Sequence, residues 1–457
     1  MANMAAPCRL RFSTVPLPTR SPAPWSLGVK GRTSIDATSL RGGASRGVGA
    51  AACAAMLAAC LPRTAAAQRC AARTSYTRCA AGDAPTLHVG LVGYGLVGQE
   101  LMKQMVAAAP KLEEQIGVKL EIAAISKSKV MALLPPGSDG WDESKEEPAD
   151  LEKLGKYVVD AAASSGGRAI IVDNTASDGP AEVYEAWLLA GADVATPNKR
   201  AGSGPFPRYE KIMAASQKTG ARFLYEATVG AGLPVLGPLQ ALLRAGDEVE
   251  SVEGIFSGTL SYIFNTWKPG VKFSDVVKEA KEKGFTEPDP RDDLGGTDVQ
   301  RKVTILAREI GLTIELDDVP VKSLVPDKLQ SWEPPSGKKL GDAFVEAVSM
   351  LASPHFGQEL TAYDDEMDAL LQEAEAANEV LRFVGAVDVK AGKASVKLGR
   401  YPKDHPFAST QFADNICAVS SKWYTPRPLV VQGPGAGAAV TAAGVFSNVM
   451  EVMNGMR

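Results

Sequence analysis

The chain has 457 residues and a net charge of −4, with 49 Lys or Arg against 53 Asp or Glu, but that average joins two unlike parts. Residues 1–82 hold eleven basic residues and one acid, Asp36, whereas the remainder holds 38 basic and 52 acidic residues, a balance that argues against a nucleic-acid partner. Cys8, Cys53, Cys60, Cys70 and Cys79 lie in the basic part, so the rest, with Cys417 as its one cysteine, forms no internal disulfide; with His88, His355 and His405 it offers no zinc set of the usual kind.

A basic, Ala/Ser/Arg-rich, acid-poor leader has the composition of an organelle transit peptide, which works unfolded against acidic import surfaces. Within it, the apolar run Gly47 to Leu61 is too short and too rich in alanine for a membrane span, so no membrane partner is expected; the alternative, with Ala65-Ala66-Ala67 after the run, is a second export signal that sends the protein across a further membrane. The remaining length suits two domains.

The apolar run Leu87 to Val92 predicts a strand. It leads into Gly93-Tyr94-Gly95-Leu96-Val97-Gly98, and Leu96, Val97, Leu101 and Met105 then recur at helical spacing. In a strand–turn–helix of this kind Gly93 allows the tight turn, Gly95 lets a pyrophosphate approach the backbone, and Gly98 lets the helix pack on the strand. The helix N-terminus supplies charge for the phosphates. This predicts a dinucleotide site.

A second strand, Val118 to Ile125, ends at Ser126-Lys127-Ser128-Lys129, where NAD-selective folds place an acid. Two cations and hydroxyls favour a 2′-phosphate, so Lys127 and Lys129 point to NADP(H), with NAD(H) as the other possibility. Short apolar strands at 169–172, 192–195 and 222–225 alternate with helical stretches near 150–164, 180–190 and 206–219, as in a doubly wound parallel sheet.

After Glu226 the strands 249–256, 380–389, 394–398, 416–420 and 429–432 alternate apolar and polar residues. Helices over about 274–284 and 298–310 stand among them, which reads as an α+β domain. Residues 326–345 look like a surface loop. A small-residue helix, 436–453, follows Gly433-Pro434-Gly435-Ala436-Gly437 and is expected to return to the first domain. The expected division is a leader (1–82), an α/β Rossmann-type domain (83–225, completed by 432–457) and a dimerisation and substrate domain (226–431).

The stretch from Glu287 to Lys302 is mostly an ordered loop, with Thr297 placed to cap the helix that follows. On that helix Val299, Val303, Leu306 and Ile310 form a buried stripe. Asp298 and Lys302, at i and i+4, share the adjacent face. Read alone, this is equally an ordinary ion pair. A partly desolvated lysine is nonetheless a plausible proton donor to the alkoxide that forms when a carbonyl receives hydride, and nearby carboxylates can bind a substrate ammonium group.

The strings GLVGYGLVGQEL (90–101), DNTASD (173–178), TPNKR (196–200), YEATVGAGLP (225–234), EGIFSGTLSYIF (253–264), EPDPRDDLGGTDVQRKV (287–303) and GPGAGAAVTAAGV (433–445) together resemble homoserine dehydrogenase in its short monofunctional form. The resemblance implies reversible NAD(P)-dependent reduction of L-aspartate 4-semialdehyde to L-homoserine, on the path to threonine and methionine. It implies Lys302 as proton donor or acceptor, Glu287 and Asp298 as substrate-binding residues with Gly258 and Thr259 beside them, and Thr175, Lys199 and Gly437 at the cofactor. Lys199 is also expected close to the reacting centre.

The resemblance further implies a sodium ion held at Glu226, Val229, Ala231 and Leu233, and a homodimer. It implies a plastid location for the leader, with the mitochondrion as the alternative. Neither an aspartate kinase domain nor a C-terminal regulatory domain is recognised, so threonine feedback is not expected. A thioester-forming semialdehyde dehydrogenase would need a reactive thiol, and Cys417, in an apolar strand, reads as buried filler. A non-catalytic dinucleotide-binding protein on the same fold is the other alternative.

Overall fold

Leu87, Val89 and Leu91 are fully buried because strand β1 (Thr86–Val92) lies at the centre of a sheet, paired in parallel with β2 (Lys119–Ser126) and β5 (Arg168–Asp173). The computed structural model describes residues 84–456 apart from 139, 142, 326–329 and 331–356. The leader and most of the expected 326–345 loop lie outside the described residues.

Parallel pairing continues through β6 (Asp193–Ala195) to β7 (Phe223–Leu224). Beyond β2 the sheet turns antiparallel, through β3 (Val130–Leu133) and β4 (Glu147–Pro148), giving the order β4-β3-β2-β1-β5-β6-β7. The all-parallel sheet expected from the sequence therefore carries an antiparallel edge. Lys127 N–H donates to the Val130 carbonyl at 2.8 Å and reverses the chain at once, and strands of four and two residues are too short to show a period.

Helices α1 (Leu96–Ile116), α2 (Leu151–Ser165), α3 (Asp178–Leu189), α4 (Lys199–Ser203) and α5 (Phe206–Thr219) link these strands. Their ends follow elementary rules. Asp150 caps α2 by accepting from Lys153 N–H at 2.9 Å, and Gly166, at φ 64°, closes it.

The second half comprises α6 (Leu236–Arg244), β8 (Val249–Ile255), α7 (Gly258–Thr266), α8 (Phe273–Glu282), α9 (Pro290–Leu294), α10 (Thr297–Glu309), α11 (Gly357–Ala376), β9 (Glu379–Asp388), β10 (Lys393–Pro402), β11 (Asp414–Ser421) and β12 (Leu429–Pro434). Its five strands form an antiparallel sheet in the order β10-β9-β8-β11-β12. Helix α7 was not legible in the sequence, because five consecutive residues, Leu260 to Phe264, are buried and leave no amphipathic stripe.

The last helix, α12 (Ala438–Asn454), packs back on α1 as expected. Val445, Val449, Val452 and Met453 join Leu101 and Met105 in one core, all fully buried. Each such side chain contributes about 1.5–3 kcal/mol, enough to hold the C-terminus on the first sheet.

Helix α10 carries the expected stripe, with Val299, Val303 and Leu306 buried and Ile310 partly so. Its start differs from expectation. Thr297 is the first helical residue and caps nothing; the cap is Gly296, whose φ of 75° lies in the left-handed region. A side chain there would also crowd Phe383 and Val321 at 3.0 Å, so the chain enters this helix by backbone conformation rather than by a hydroxyl.

Candidate active site

At the mouth of the parallel sheet the glycine loop is tight on one side and open on the other. A Cβ on Gly98 would lie 2.2 Å from the Gly93 carbonyl oxygen, and one on Gly93, whose φ is 83°, would lie 2.7 Å from Thr175 Cγ2. At Gly95 a Cβ would meet nothing within 4 Å. The loop thus packs on itself and on the 173–178 segment while leaving the space before α1 that a pyrophosphate requires.

The side-chain amide of Asn174, which faces this loop, has neither its Nδ2 nor its Oδ1 bonded to any described residue. Buried amide groups require partners, and a dinucleotide carries both kinds, phosphate oxygens that accept from an amide N–H and ribose hydroxyls that donate to an amide oxygen, so the cradle fits the cofactor. Asn174 was not singled out from the sequence, because a lone Asn after a strand is ordinary.

The cations expected at the end of β2 are placed unequally. Lys127 Nζ is 3.3 Å from Glu146 Oε1 and lies 3.9 Å from the centre of the Trp141 ring, which in turn stacks on Tyr94 of the glycine loop. Lys129 is exposed. The Ser126 hydroxyl turns inward and donates to the Lys127 carbonyl at 2.9 Å, so it is not offered to a ribose.

Thr175 connects this region to the next. Its N–H donates to the buried Asp173 carboxylate at 2.8 Å, which also accepts from Asn198 Nδ2 at 2.9 Å and from the Tyr184 hydroxyl. Burial pushes the Asp173 carboxyl up, against the pull of those donors. Asn198 caps α4 by accepting from Arg200 N–H at 3.0 Å, and the next residue is Lys199.

Lys199 Nζ reaches Asp298 Oδ1 at 3.3 Å, and Lys302 Nζ takes Asp298 Oδ2 at 2.7 Å. Lys302 is buried and also donates to the Phe256 carbonyl at 2.6 Å, while Asp298 stands half-exposed above it. Burial pulls the Lys302 ammonium below the ordinary lysine range; Asp298 opposes that pull and Lys199 adds to it. For Asp298, half-exposed but set against the buried Lys302, lost hydration acts upward, yet the ammonium groups of Lys302 and Lys199 outweigh it and hold the carboxyl below its usual range. The expected Asp298/Lys302 pair therefore exists and gains a third member from the other half of the chain.

Gly258 opens α7 beside the 433–437 loop: a Cβ there would meet Ala413 and Ala436. The Thr259 hydroxyl lies 2.6 Å from the Phe285 carbonyl and 2.8 Å from Asp293 Oδ1, and Glu287 N–H donates to Asp293 Oδ2 at 2.8 Å. The Glu287 carboxylate itself is exposed. Asp293 is pushed up to about 6, chiefly by burial, with Glu287 and Asp292 adding to it and its two donors opposing. Sequence reading missed Asp293, although its position in a proline-flanked acidic loop is the signal that could have found it. Gly437 caps α12 with φ 112°.

Glu226 lies elsewhere than in a carboxylate cluster. Its Oε1 accepts from Val235 and Leu236 N–H at 2.6 and 2.8 Å, and its Oε2 from Gly237 N–H at 2.6 Å, so it neutralises the start of α6. The carbonyls of Val229, Ala231 and Leu233 accept no hydrogen bond from any described residue. Among the described residues no group of three or more His, Cys, Asp or Glu could hold a metal. Carbonyl and carboxylate oxygens are hard donors, of the kind a monovalent cation takes and a transition metal does not favour. Cys417 is buried, and its thiol is pushed up to about 12 by burial, which removes it as a nucleophile.

Comparison with known proteins shows the family. The homoserine dehydrogenase family model matches residues 234–450, and that for the homoserine dehydrogenase NAD binding domain matches residues 93–226. The chain belongs to the homoserine dehydrogenase family. Homoserine dehydrogenase of Schizosaccharomyces pombe is 42% identical over 390 residues, spanning 81% of this chain and 96% of that protein. The chloroplastic bifunctional aspartokinase/homoserine dehydrogenase 1 of Arabidopsis thaliana is 45% identical over 372 residues, or 80% of this chain. This chain spans 39% of the length of that plant protein. A hyperthermophilic archaeal homoserine dehydrogenase mutant, solved in complex with NADPH, superposes with a TM-score of 0.57 over 80% of this chain and 97% of its own, at 21% identity, a likeness of fold.

Proposed function

We propose that the chain is a homoserine dehydrogenase, catalysing the reversible NAD(P)-dependent reduction of L-aspartate 4-semialdehyde to L-homoserine in threonine and methionine biosynthesis. The observation that carries this reading is the Lys199–Asp298–Lys302 cluster, tied through Asn198 and Thr175 to the glycine loop. A hydride donor and a proton donor are both needed to reduce an aldehyde, and this chain of contacts joins their sites.

When bound, the dihydronicotinamide supplies the hydride. Lys302 gives its proton to the aldehyde oxygen as the carbonyl carbon becomes tetrahedral, and takes it back from the hydroxyl in the reverse direction. Burial serves this step by bringing the lysine towards the working range of pH. Asp298 orients that ammonium group, and Lys199 faces the same carboxylate from the cofactor side. Asp293, with Thr259 and Glu287 around it, supplies negative charge for the substrate ammonium group.

Lys127 supports a preference for NADP(H), since a 2′-phosphate can replace Glu146 as its partner. The carbonyls of Val229, Ala231 and Leu233 with Glu226 would hold sodium. A homodimer and, from the composition of residues 1–82, a plastid location complete the reading. Among the described residues no helix is long and apolar enough to cross a membrane.

The test is a spectrophotometric assay of the purified protein with homoserine and either NADP+ or NAD+. Homoserine-dependent absorbance of the reduced nicotinamide is expected. Absence of turnover with both cofactors would leave a non-catalytic dinucleotide-binding protein.

A further inference from the structure

Asn415 lies near the start of β11 and is 1% exposed. Its Nδ2 donates to the Phe256 carbonyl at 3.2 Å, the same oxygen that accepts Lys302 Nζ at 2.6 Å. A carbonyl oxygen has two lone pairs, so it takes both donors at once. Phe256 immediately follows β8 and precedes the Ser257-Gly258 turn into α7, a short connection whose carbonyl direction is not fixed by ladder pairing with β9. The amide is the group that holds it from the β11 side.

Asn415 also governs the approach of a second segment. A Cβ on Gly435 would lie 2.1 Å from Asn415 Nδ2 and 2.3 Å from its Cγ. The 433–437 loop therefore passes directly over the amide, and residue 435 has no room for a side chain. Two residues later Gly437 caps α12. One side chain thus touches both the anchor of Lys302 and the loop expected at the cofactor.

The charged groups that face Lys302 are Asp298, from its own helix, and Lys199, from α4. Asn415 adds a neutral donor from the second sheet. We propose that Asn415 is a positioning residue for the reaction: it fixes the Phe256 carbonyl on which the Lys302 ammonium group rests. The proposal rests on Lys302 being the proton donor.

The experiment compares Asn415→Asp, Asn415→Ala and Lys302→Ala in the full-length protein, recording kcat, both KM values, the pH profile of homoserine oxidation and the melting temperature. Ionised, the carboxylate of Asn415→Asp would stand close to the ammonium group and favour its charged form; protonated, it would still donate to the Phe256 carbonyl. The limb that reports deprotonation of Lys302 should move about one pH unit or more to higher pH. Asn415→Ala should lower kcat by roughly tenfold while the KM for the dinucleotide changes by less than about twofold, a split that a packing defect would not produce.

A folded Asn415→Asp with an unmoved limb and a kcat as low as that of Asn415→Ala would overturn the proposal, since a protonated carboxyl should still hold the carbonyl and an ionised one should move the limb; so would Asn415→Ala with unchanged kcat, and should the Asp variant fail to fold, the Ala variant decides. If Lys302→Ala kept full turnover, the reading of Lys302 itself would fall, and the proposal with it. If only Lys302→Ala were impaired, the positioning role alone would be lost.

Discussion

Lys199 and Asp298 are separated by about a hundred residues in sequence, yet their Nζ and Oδ1 atoms lie 3.3 Å apart, so the first sheet's α4 and the second half's α10 meet on one carboxylate. Asp298 is shared, and Lys302 therefore feels a second positive charge. That charge pushes the Lys302 ammonium in the same direction as burial, downward.

Removing it should reverse the effect. In Lys199→Ala the Lys302 ammonium keeps only Asp298 as a charged neighbour, its pKa rises, and the neutral base needed for homoserine oxidation forms at higher pH. The rising limb of kcat against pH should move upward by roughly half to one pH unit. An unmoved limb would show that the two lysines do not share a field.

A carboxyl pushed up to about 6 makes Asp293 the group expected to govern substrate affinity near neutrality. Protonated below that pH, it has no charge to offer an ammonium group, so the KM for homoserine should fall as pH rises through about 6. A carboxamide in its place would be neutral throughout. Asp293→Asn should raise that KM by about 10- to 100-fold, the range of a hydrogen bond to a charged group, and flatten its pH dependence. A retained pH dependence would assign the titration to another residue.

What the sequence revealed was whatever a single element encodes. The Asp298/Lys302 pair stands one turn apart on α10, and the glycine loop follows its strand directly, so spacing alone exposes both. Asn174, Asp293 and Asn415 were missed because each acquires its role from a distant partner: the glycine loop, Thr259 or the Phe256 carbonyl. The Lys199–Asp298 contact joins two halves of the fold and has no sequence period. Likewise the antiparallel edge strands are shorter than any window in which alternation can be seen. Thr297 illustrates the opposite error, since a good capping residue stands where Gly296 already ends the turn by a left-handed conformation.

Two glycines of the nucleotide loop should behave differently. Gly98→Ala places a Cβ 2.2 Å from a backbone carbonyl and should cost about 1–3 kcal/mol, seen as a lower melting temperature of the apoprotein. Gly95→Ala meets no atom within 4 Å, so the melting temperature should hold while dinucleotide affinity drops. Equal thermal effects in the two variants would contradict the division into a packing glycine and a ligand glycine.

Selectivity between the dinucleotides is expected to depend on Lys127. Its exchange for Ala should raise the KM for NADP+ by about tenfold and leave that for NAD+ nearly unchanged, because only the former carries a 2′-phosphate. The same increase for both would remove Lys127 from the choice.

The most direct measurement sets turnover of Lys302→Ala against its dinucleotide binding, followed by nicotinamide absorbance and by fluorescence titration respectively. Removing the proton donor from an otherwise intact site should lower kcat by about 100-fold or more, with the dissociation constant for NADP(H) within about twofold of the unsubstituted protein. Turnover that survives the substitution would contradict the assignment of Lys302 as the general acid and base.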